Sequence, residues 1–278
     1  MRVGTGLRGV VTRPAYGESM ALPLPSSLSP SKVSSFTECA LAFKFSQIDR
    51  LPDPGTMWTV KGTLVHRALE RLHAEIPRGR RTPGLTEELV VDSLAEVLAG
   101  ESDAIDLGDE DQLLADASVL ARNVFLLEDP NAVDAVGLEL KLEAQTADGV
   151  VLRGIIDRLD RRPDGTFVVV DYKTGRAPLQ ISEKTRMGGI HLYAYLLEQN
   201  LGVRPSRLEL FHLREPVVIS AEPTDRSVAQ LERRTSAIWR AIERACADDD
   251  FRPRPGWLCT VCTFRDRCPA WRGTSPSG

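Results

Sequence analysis

The sequence predicts an α/β domain in which helices flank a mixed central sheet. Helical periodicity dominates the first half of the chain, and short runs rich in β-branched residues follow it. Residues 188–201 return to helical spacing between two groups of these runs, an order typical of a sheet covered by helices. With 278 residues, 42% of them hydrophobic, the chain can bury one large core.

The N-terminal part is predicted to be mostly helical. Residues 1–28 are rich in Gly, Pro and Ser without periodicity, which predicts a flexible leader. Serines from Ser29 onward favour a helix start, and the apolar spacing that follows predicts one helix that contains Cys39. A second helix is predicted over residues 61–74, with His66 near its start. A helix, a loop and another helix then reach residue 127.

Five strands are predicted after these helices. They cover residues 136–142, 150–160, 167–173, 207–213 and 217–221. A long amphipathic helix from Thr224 to about Cys246 precedes the last cysteines. We therefore expect a single domain over residues 29–272. It divides into a helical part (29–130), an α/β core (131–223) and a C-terminal helix with a cysteine lobe (224–272), before a flexible tail (273–278).

The distribution of charge is uneven. The net charge is −4, but residues 87–111 contain ten acidic residues and no Lys or Arg, so the rest of the chain carries −4 + 10 = +6. Local basic surfaces could therefore bind phosphates. No apolar run approaches the roughly 20 residues that cross a bilayer, and no signal-peptide pattern is present at the N-terminus. We expect a cytoplasmic protein without a membrane partner.

Four cysteines favour a metal site. Cys259, Cys262 and Cys268 form a CxxCx5C cluster, and Cys39 lies near the other end of the chain. Such crowding indicates metal ligation in a reducing compartment rather than disulfides. Four thiolates suit either Zn²⁺ or an iron–sulfur cluster, and the spacing does not choose between them. Cys246 is interpreted as an ordinary helix residue.

A second group of residues indicates hydrolytic chemistry. Side chains repeat every two residues along a strand, so Asp171 and Lys173 are predicted to share a face. Asp157 lies on the preceding predicted strand, where an apolar environment favours a cation partner. A Mg²⁺ or Mn²⁺ ion between the carboxylates could polarise a phosphodiester, with Lys173 positioning water or stabilising charge. The alternative is that Asp171 and Lys173 are only the polar end of a strand.

These residues resemble a known family. Gly62-Thr-Leu-Val-His66, Gly154-Ile-Ile-Asp157, Asp171-Tyr-Lys-Thr-Gly175 and the split cysteines resemble the RecB-like, iron–sulfur branch of the PD-(D/E)XK nuclease superfamily. That branch includes AddB-type helicase–nucleases and CRISPR-adaptation nucleases. The resemblance implies a restriction-endonuclease-like core with a cysteine-ligated lobe that joins the two ends of the chain.

The resemblance also implies roles for individual residues. His66, Asp157 and Asp171 would bind the divalent ion together with the main-chain carbonyl of Tyr172, and Lys173 would be catalytic. A [4Fe–4S] cluster would be ligated by Cys39, Cys259, Cys262 and Cys268, although Ala40 replaces the usual Pro after the first cysteine.

Other positions depart from the family pattern or stay open. Tyr193 matches a possible substrate contact, but Gly189 stands where the family usually has Gln, four residues earlier. Glu139 is interpreted either as a neighbour of the metal site or as an edge-strand surface charge. Basic and aromatic residues are available to contact a bound nucleic-acid strand, although each is more often ordinary surface or core: Phe43, Lys44, Arg50, Trp58, Lys61, Arg176, Lys184, Arg186 and Trp257.

The sequence therefore predicts a metal-dependent DNA exonuclease that acts on single-stranded or free ends in repair or recombination. One alternative is an inactive nucleic-acid-binding module, which Gly189 favours and the intact Asp157, Asp171 and Lys173 oppose. Another is a zinc-stabilised subunit of a helicase–nuclease complex, because the chain has no GxxxxGK[ST] motif of its own.

Overall fold

A five-stranded sheet forms the centre of the domain. The computed structural model describes residues 21–52, 56–100, 108–176 and 180–272, except for the side chains of 180–188 and 272. The strands lie in chain order: β1 (Ala135–Gln145), β2 (Val151–Arg161), β3 (Phe167–Lys173), β4 (Arg207–His212) and β5 (Val217–Ala221). Of these pairs, only β3 and β4 run parallel, so the sheet is mixed, as predicted.

Helices cover both faces of the sheet. The α-helices of the described residues are α1 (Pro30–Glu38), α2 (Ala40–Phe43), α3 (Met57–Glu75), α4 (Pro83–Ala99), α5 (Glu110–Arg122), α6 (Gln180–Leu201), α7 (Asp225–Asp248) and α8 (Pro269–Arg272). Residues of α3, α4 and α5 form one hydrophobic cluster with Val168 and Val170, whereas α1, α6 and α7 form another with Val169. β3 is therefore buried on both faces, which explains its valines. Among the described helices, none combines the length and hydrophobicity needed to cross a membrane.

β2 and β3 separate partway along their length. Their antiparallel ladder ends at the pair of Arg158 and Val170. Beyond that pair β3 continues beside β4, whereas the main chain of Leu28 takes the free edge of β2 through hydrogen bonds with residues 151 and 153. We call this separation the strand fork. It leaves space between the two strands immediately beside the candidate acidic residues.

The predicted flexible leader, residues 1–28, includes residues that belong to the folded domain. Leu28 is fully buried and hydrogen-bonds along β2, and the N–H of Leu22 donates to the carbonyl of Cys246. The ordered chain therefore begins before Ser29, because the free edge of β2 needs a partner for its main-chain groups. Residues 1–20 and the predicted tail, 273–278, lie outside the described residues.

Cys39 does not lie inside a helix, contrary to the prediction. Its backbone is extended (φ −158°, ψ 107°) and separates α1 from α2. The N–H of Cys39 donates to the carbonyl of Ser35, while its own carbonyl accepts from the N–H of Phe43. One residue thus ends the first helix and begins the second. The continuous apolar spacing on both sides hides this break in the sequence.

A buried guanidinium connects the two strands of the fork to α3. Arg158 is fully buried and donates two hydrogen bonds to Glu128, at 2.6 and 2.8 Å, and two to Asp160, at 2.9 and 3.0 Å. It also donates to the hydroxyl of Tyr172 at 2.6 Å, and its Nη1 lies 3.0 Å from Nε2 of His73. Burial, with the nearby arginines, lowers the pKa of His73 to about 2, so this imidazole is neutral.

We predict that Arg158→Met strongly destabilises the protein. The substitution leaves Glu128 and Asp160 without their cation, which costs about 3–5 kcal/mol for a buried pair. The matched control is Arg161→Met on the same strand, which removes the half-exposed ion pair with Asp134 and should cost less than about 1 kcal/mol. Urea unfolding measures both changes. Equal losses in the two variants would contradict the importance of the buried network.

Candidate active site and metal centre

The candidate metal ligands lie where the alternation of side chains between the two faces of β2 is interrupted. Ile156 and Leu159 both join the hydrophobic cluster beside α6, although side chains three residues apart normally lie on opposite faces. Asp157 lies at this irregularity. Glu139, opposite it on β1, has a left-handed φ of 43°, and the two residues are missing from the β1–β2 ladder. Such irregularities redirect side chains and recur beside functional sites.

Three side chains converge at this break. His66 from α3, Glu139 from β1 and Asp157 from β2 each provide one ligand atom, and these atoms all lie within 4.8 Å of one another. Nδ1 of His66 is 3.4 Å from Oδ2 of Asp157, and the main-chain N–H of Tyr172 donates to the same oxygen at 2.7 Å. An imidazole and two carboxylates could hold Mg²⁺ or Mn²⁺.

Asp171 belongs to a second arrangement on the other side of the fork. Its side chain is 6% exposed and forms an ion pair with Lys173, so the two residues share a face, as predicted. The hydroxyl of Tyr193 donates to Oδ1 of Asp171 at 3.3 Å. Gly154 allows Tyr193 to approach, because an added Cβ would lie 2.9 Å from Cε1 of the ring.

The compact ligand group differs from the set that the sequence indicates. It contains His66 and Asp157 but not Asp171, whose carboxylate is paired with Lys173. It also contains Glu139, for which the sequence left two interpretations open. The antiparallel register and the left-handed backbone at Glu139 bring this side chain to Asp157, and neither feature is visible in a sequence pattern.

The site accumulates negative charge. Burial raises the pKa of Glu139 to about 6, and the charge of Asp157 acts in the same direction. Burial also raises the pKa of Asp171, although the Lys173 ammonium opposes this change. Burial alone would lower the pKa of His66, but its hydrogen bond and charge interaction with Asp157 outweigh that effect and raise it. A divalent cation would relieve the repulsion between these acids.

A large cleft opens at the strand fork. Its volume is about 1400 Å³, and Asp171, Lys173 and Tyr193 line one part of it. Gly189 also lines the cleft, where the nearest described atom that an added Cβ would meet is Cβ of Pro30, at 4.0 Å. The family resemblance implies a glutamine at this position, and the glycine supplies no side chain in its place. The remaining walls come from α1, β1, the edge of β2, α7 and residues 254–258.

The four predicted cluster cysteines surround one smaller cavity. Cys39, Cys259, Cys262 and Cys268 all line a space of about 180 Å³ between the α1–α2 junction and the C-terminal turns. Burial raises the pKa of the Cys262 thiol, and charge on the other three cysteines adds to the effect. None of these described cysteines belongs to a group of three ligand atoms within 4.8 Å. Cys246 lies apart in α7, where its sulfur contacts the carbonyl of Pro23.

Comparison with known proteins assigns the family. The chain matches the model of the PD-(D/E)XK nuclease superfamily over residues 27–269, and it belongs to that superfamily. A crystal structure titled "Putative exonuclease" from Eubacterium rectale is similar, with 13% identity and a TM-score of 0.48 over 91% of this chain and 90% of that one. The structure of SSO0001 has 19% identity and a TM-score of 0.35 over 75% and 84%. No curated protein matches the chain.

We predict that Mn²⁺ binding weakens as the pH falls through about 6. Glu139 has a pKa of about 6 and becomes protonated as the pH falls through this value, whereas the pKa of His66 is raised above its ordinary value, so its protonation begins at higher pH. Both groups must release protons to bind a cation. Calorimetry in two buffers of different ionisation enthalpy measures the protons released. Glu139→Gln should reduce this release, whereas the exposed turn variant Asp164→Asn should not. Affinity that is constant between about pH 5 and pH 7 would contradict the prediction.

Proposed function

We propose that this protein is a Mg²⁺- or Mn²⁺-dependent DNA exonuclease of the RecB-like, iron–sulfur branch, acting on single-stranded ends in cytoplasmic repair or recombination. The observation that carries the proposal is the convergence of two groups at the strand fork. One is the ligand group of His66, Glu139 and Asp157, and the other is the pair of Asp171 and Lys173. Membership of a nuclease superfamily supports phosphodiester hydrolysis, and the cleft offers space for a strand.

His66, Glu139 and Asp157 would hold the divalent ion, together with Asp171 and the main-chain carbonyl of Tyr172. When bound, such an ion polarises the phosphodiester and lowers the pKa of a water molecule. The N–H of Tyr172 fixes the orientation of the Asp157 carboxylate through its 2.7 Å hydrogen bond. This orientation reduces the reorganisation that the site needs during hydrolysis.

Lys173 and Tyr193 would act on the substrate side of the site. The Lys173 side chain is 40% exposed and lines the cleft, so its ammonium can contact both Asp171 and a bound phosphate. It would position the attacking water or stabilise charge on the phosphoryl oxygens. Tyr193 holds the opposite oxygen of Asp171, which keeps that carboxylate directed toward the fork. We also propose that Tyr193 contacts the bound DNA strand directly.

Cys39, Cys259, Cys262 and Cys268 would ligate a structural [4Fe–4S] cluster. A tetrahedral Zn²⁺ site at about 2.3 Å per bond holds its sulfur atoms only about 3.8 Å apart. No three of these described thiols lie within 4.8 Å of one another around their cavity, and this supports a cluster in which each cysteine binds a different iron. Ligation would connect residues 39 and 259 and thus restrain both ends of the domain.

A second candidate is a nucleic-acid-binding module with weak or no activity, or a subunit of a helicase–nuclease complex. Gly189, at the usual position of a glutamine, favours it. The ion pair of Asp171 and Lys173 and the ligand group at Asp157 oppose it. Hydrolysis by the isolated chain separates these two functions.

We predict that the protein shortens end-labelled single-stranded DNA in Mn²⁺. Asp171→Asn and Lys173→Met should each lower the rate at least about 100-fold, because each removes a group at the reacting phosphate. Asp164→Asn is the control for an exposed carboxylate and should retain the rate. Substrates blocked at either end give the polarity. Binding without cleavage by the unmodified protein would overturn the enzymatic proposal.

We also predict that anaerobically purified protein is brown, with broad absorbance near about 400 nm and roughly four irons per chain. Cys259→Ser should lose the colour, because it removes one ligand. Cys246→Ser is the matched control and should keep it, since Cys246 lies apart from the cavity. Colourless protein with one zinc per chain would overturn the iron–sulfur assignment.

A further inference from the structure

One short segment forms a wall shared by the cleft and the cysteine cavity. Residues 254–256 line both spaces, and Trp257 and Leu258 continue along the cleft. The N–H of Arg254 donates to Sγ of Cys39 at 3.5 Å, and the N–H of Gly256 donates to Sγ of Cys259 at 3.4 Å. The segment is thus attached to two of the candidate cluster ligands on one side and faces the cleft on the other.

The cleft side of this segment has the chemistry of a strand-binding surface. Trp257 is 76% exposed, so most of the indole surface is open to solvent. Arg254 lies beside it, and its guanidinium donates to the carbonyl of Thr37 at 3.0 Å while retaining other N–H groups. Further cations line the same cleft: Lys32, Lys141, Arg153 and Arg234. Burial, together with the charges of Arg153 and Arg50, lowers the pKa of Lys32.

We propose that Trp257 and Arg254 select single-stranded DNA for the cleft: the indole stacks on an unpaired base and the guanidinium binds a neighbouring phosphate. This inference rests on the proposed nuclease function and identifies residues that select its substrate. Stacking on an exposed indole requires a free base face, which a duplex does not offer along its length. The same cleft continues to Asp171 and Lys173, so a strand held at Trp257 can reach the candidate reacting groups.

The test measures the affinity for a labelled oligonucleotide and for its duplex by fluorescence anisotropy, with Ca²⁺ as the divalent ion and the DNA checked for integrity afterwards. Trp257→Ala should weaken single-strand binding about tenfold and leave duplex binding within about twofold. Arg254→Ala should weaken both and lower the salt dependence of binding, because it removes a phosphate contact. Arg254→Lys keeps the charge and should recover part of the affinity.

Matched controls lie outside the cleft. Leu126→Ala removes another exposed apolar side chain, 71% exposed, and Arg252→Ala removes an arginine that lies two residues before Arg254 and is paired with Asp250. Both variants should bind single strands as the unmodified protein does. Urea unfolding of all variants identifies any loss of folding.

The outcomes separate this inference from the proposed function. Single-strand affinity that is unchanged in Trp257→Ala overturns the inference, as does an unmodified protein that binds neither DNA. The expected losses, combined with an absence of hydrolysis in Mn²⁺, support the inference and overturn the nuclease. Hydrolysis without any effect of Trp257→Ala supports the nuclease and overturns the inference.

Discussion

The buried guanidinium of Arg158 is the constraint on which the candidate site depends. Its hydrogen bonds hold β2, β3 and α3 in one arrangement, and Glu128 and Asp160 balance its charge. Each element that it joins also bears a candidate site residue: Asp157 precedes Arg158, Asp171 precedes Tyr172, and His66 lies seven residues before His73 on α3. A buried ion pair is weak evidence for net stability, but removing one partner is costly. The network therefore restricts the relative positions of the site residues.

The irregularity at Asp157 has two consequences for the site. It directs Arg158 into the buried network while Asp157 turns toward His66 and Glu139. It also coincides with the end of the β2–β3 ladder, where the N–H of Tyr172 bonds to the Asp157 side chain instead of the β2 main chain. The strands then diverge, and the cleft occupies the space between them. A regular ladder would close this space and alternate the side chains differently.

Acidic and basic side chains are distributed differently around the candidate site. Acidic side chains gather at the fork, where their mutual repulsion favours a cation. Along the walls of the cleft, basic side chains outnumber acidic ones even though Glu38 and Glu143 lie there and Glu143 pairs with Arg153, and this excess suits the phosphates of a bound strand. The segment at residues 254–257 links this surface to the cysteine cavity. A negative net charge is therefore compatible with a nucleic-acid substrate, because local charge rather than the total determines binding.

Short-range patterns in the sequence determined the five strands, the shared face of Asp171 and Lys173, and the position of the long C-terminal helix from Thr224. These features follow from residue periodicity and capping, which act over a few residues. Only the tertiary structure decided that Glu139 joins the ligand group, that Leu28 completes the edge of β2, and that Arg158 lies at the centre of a buried network. These features depend on strand register, on one left-handed backbone angle and on contacts between distant segments. No local pattern encodes them, because their energy comes from groups that meet only in the folded chain.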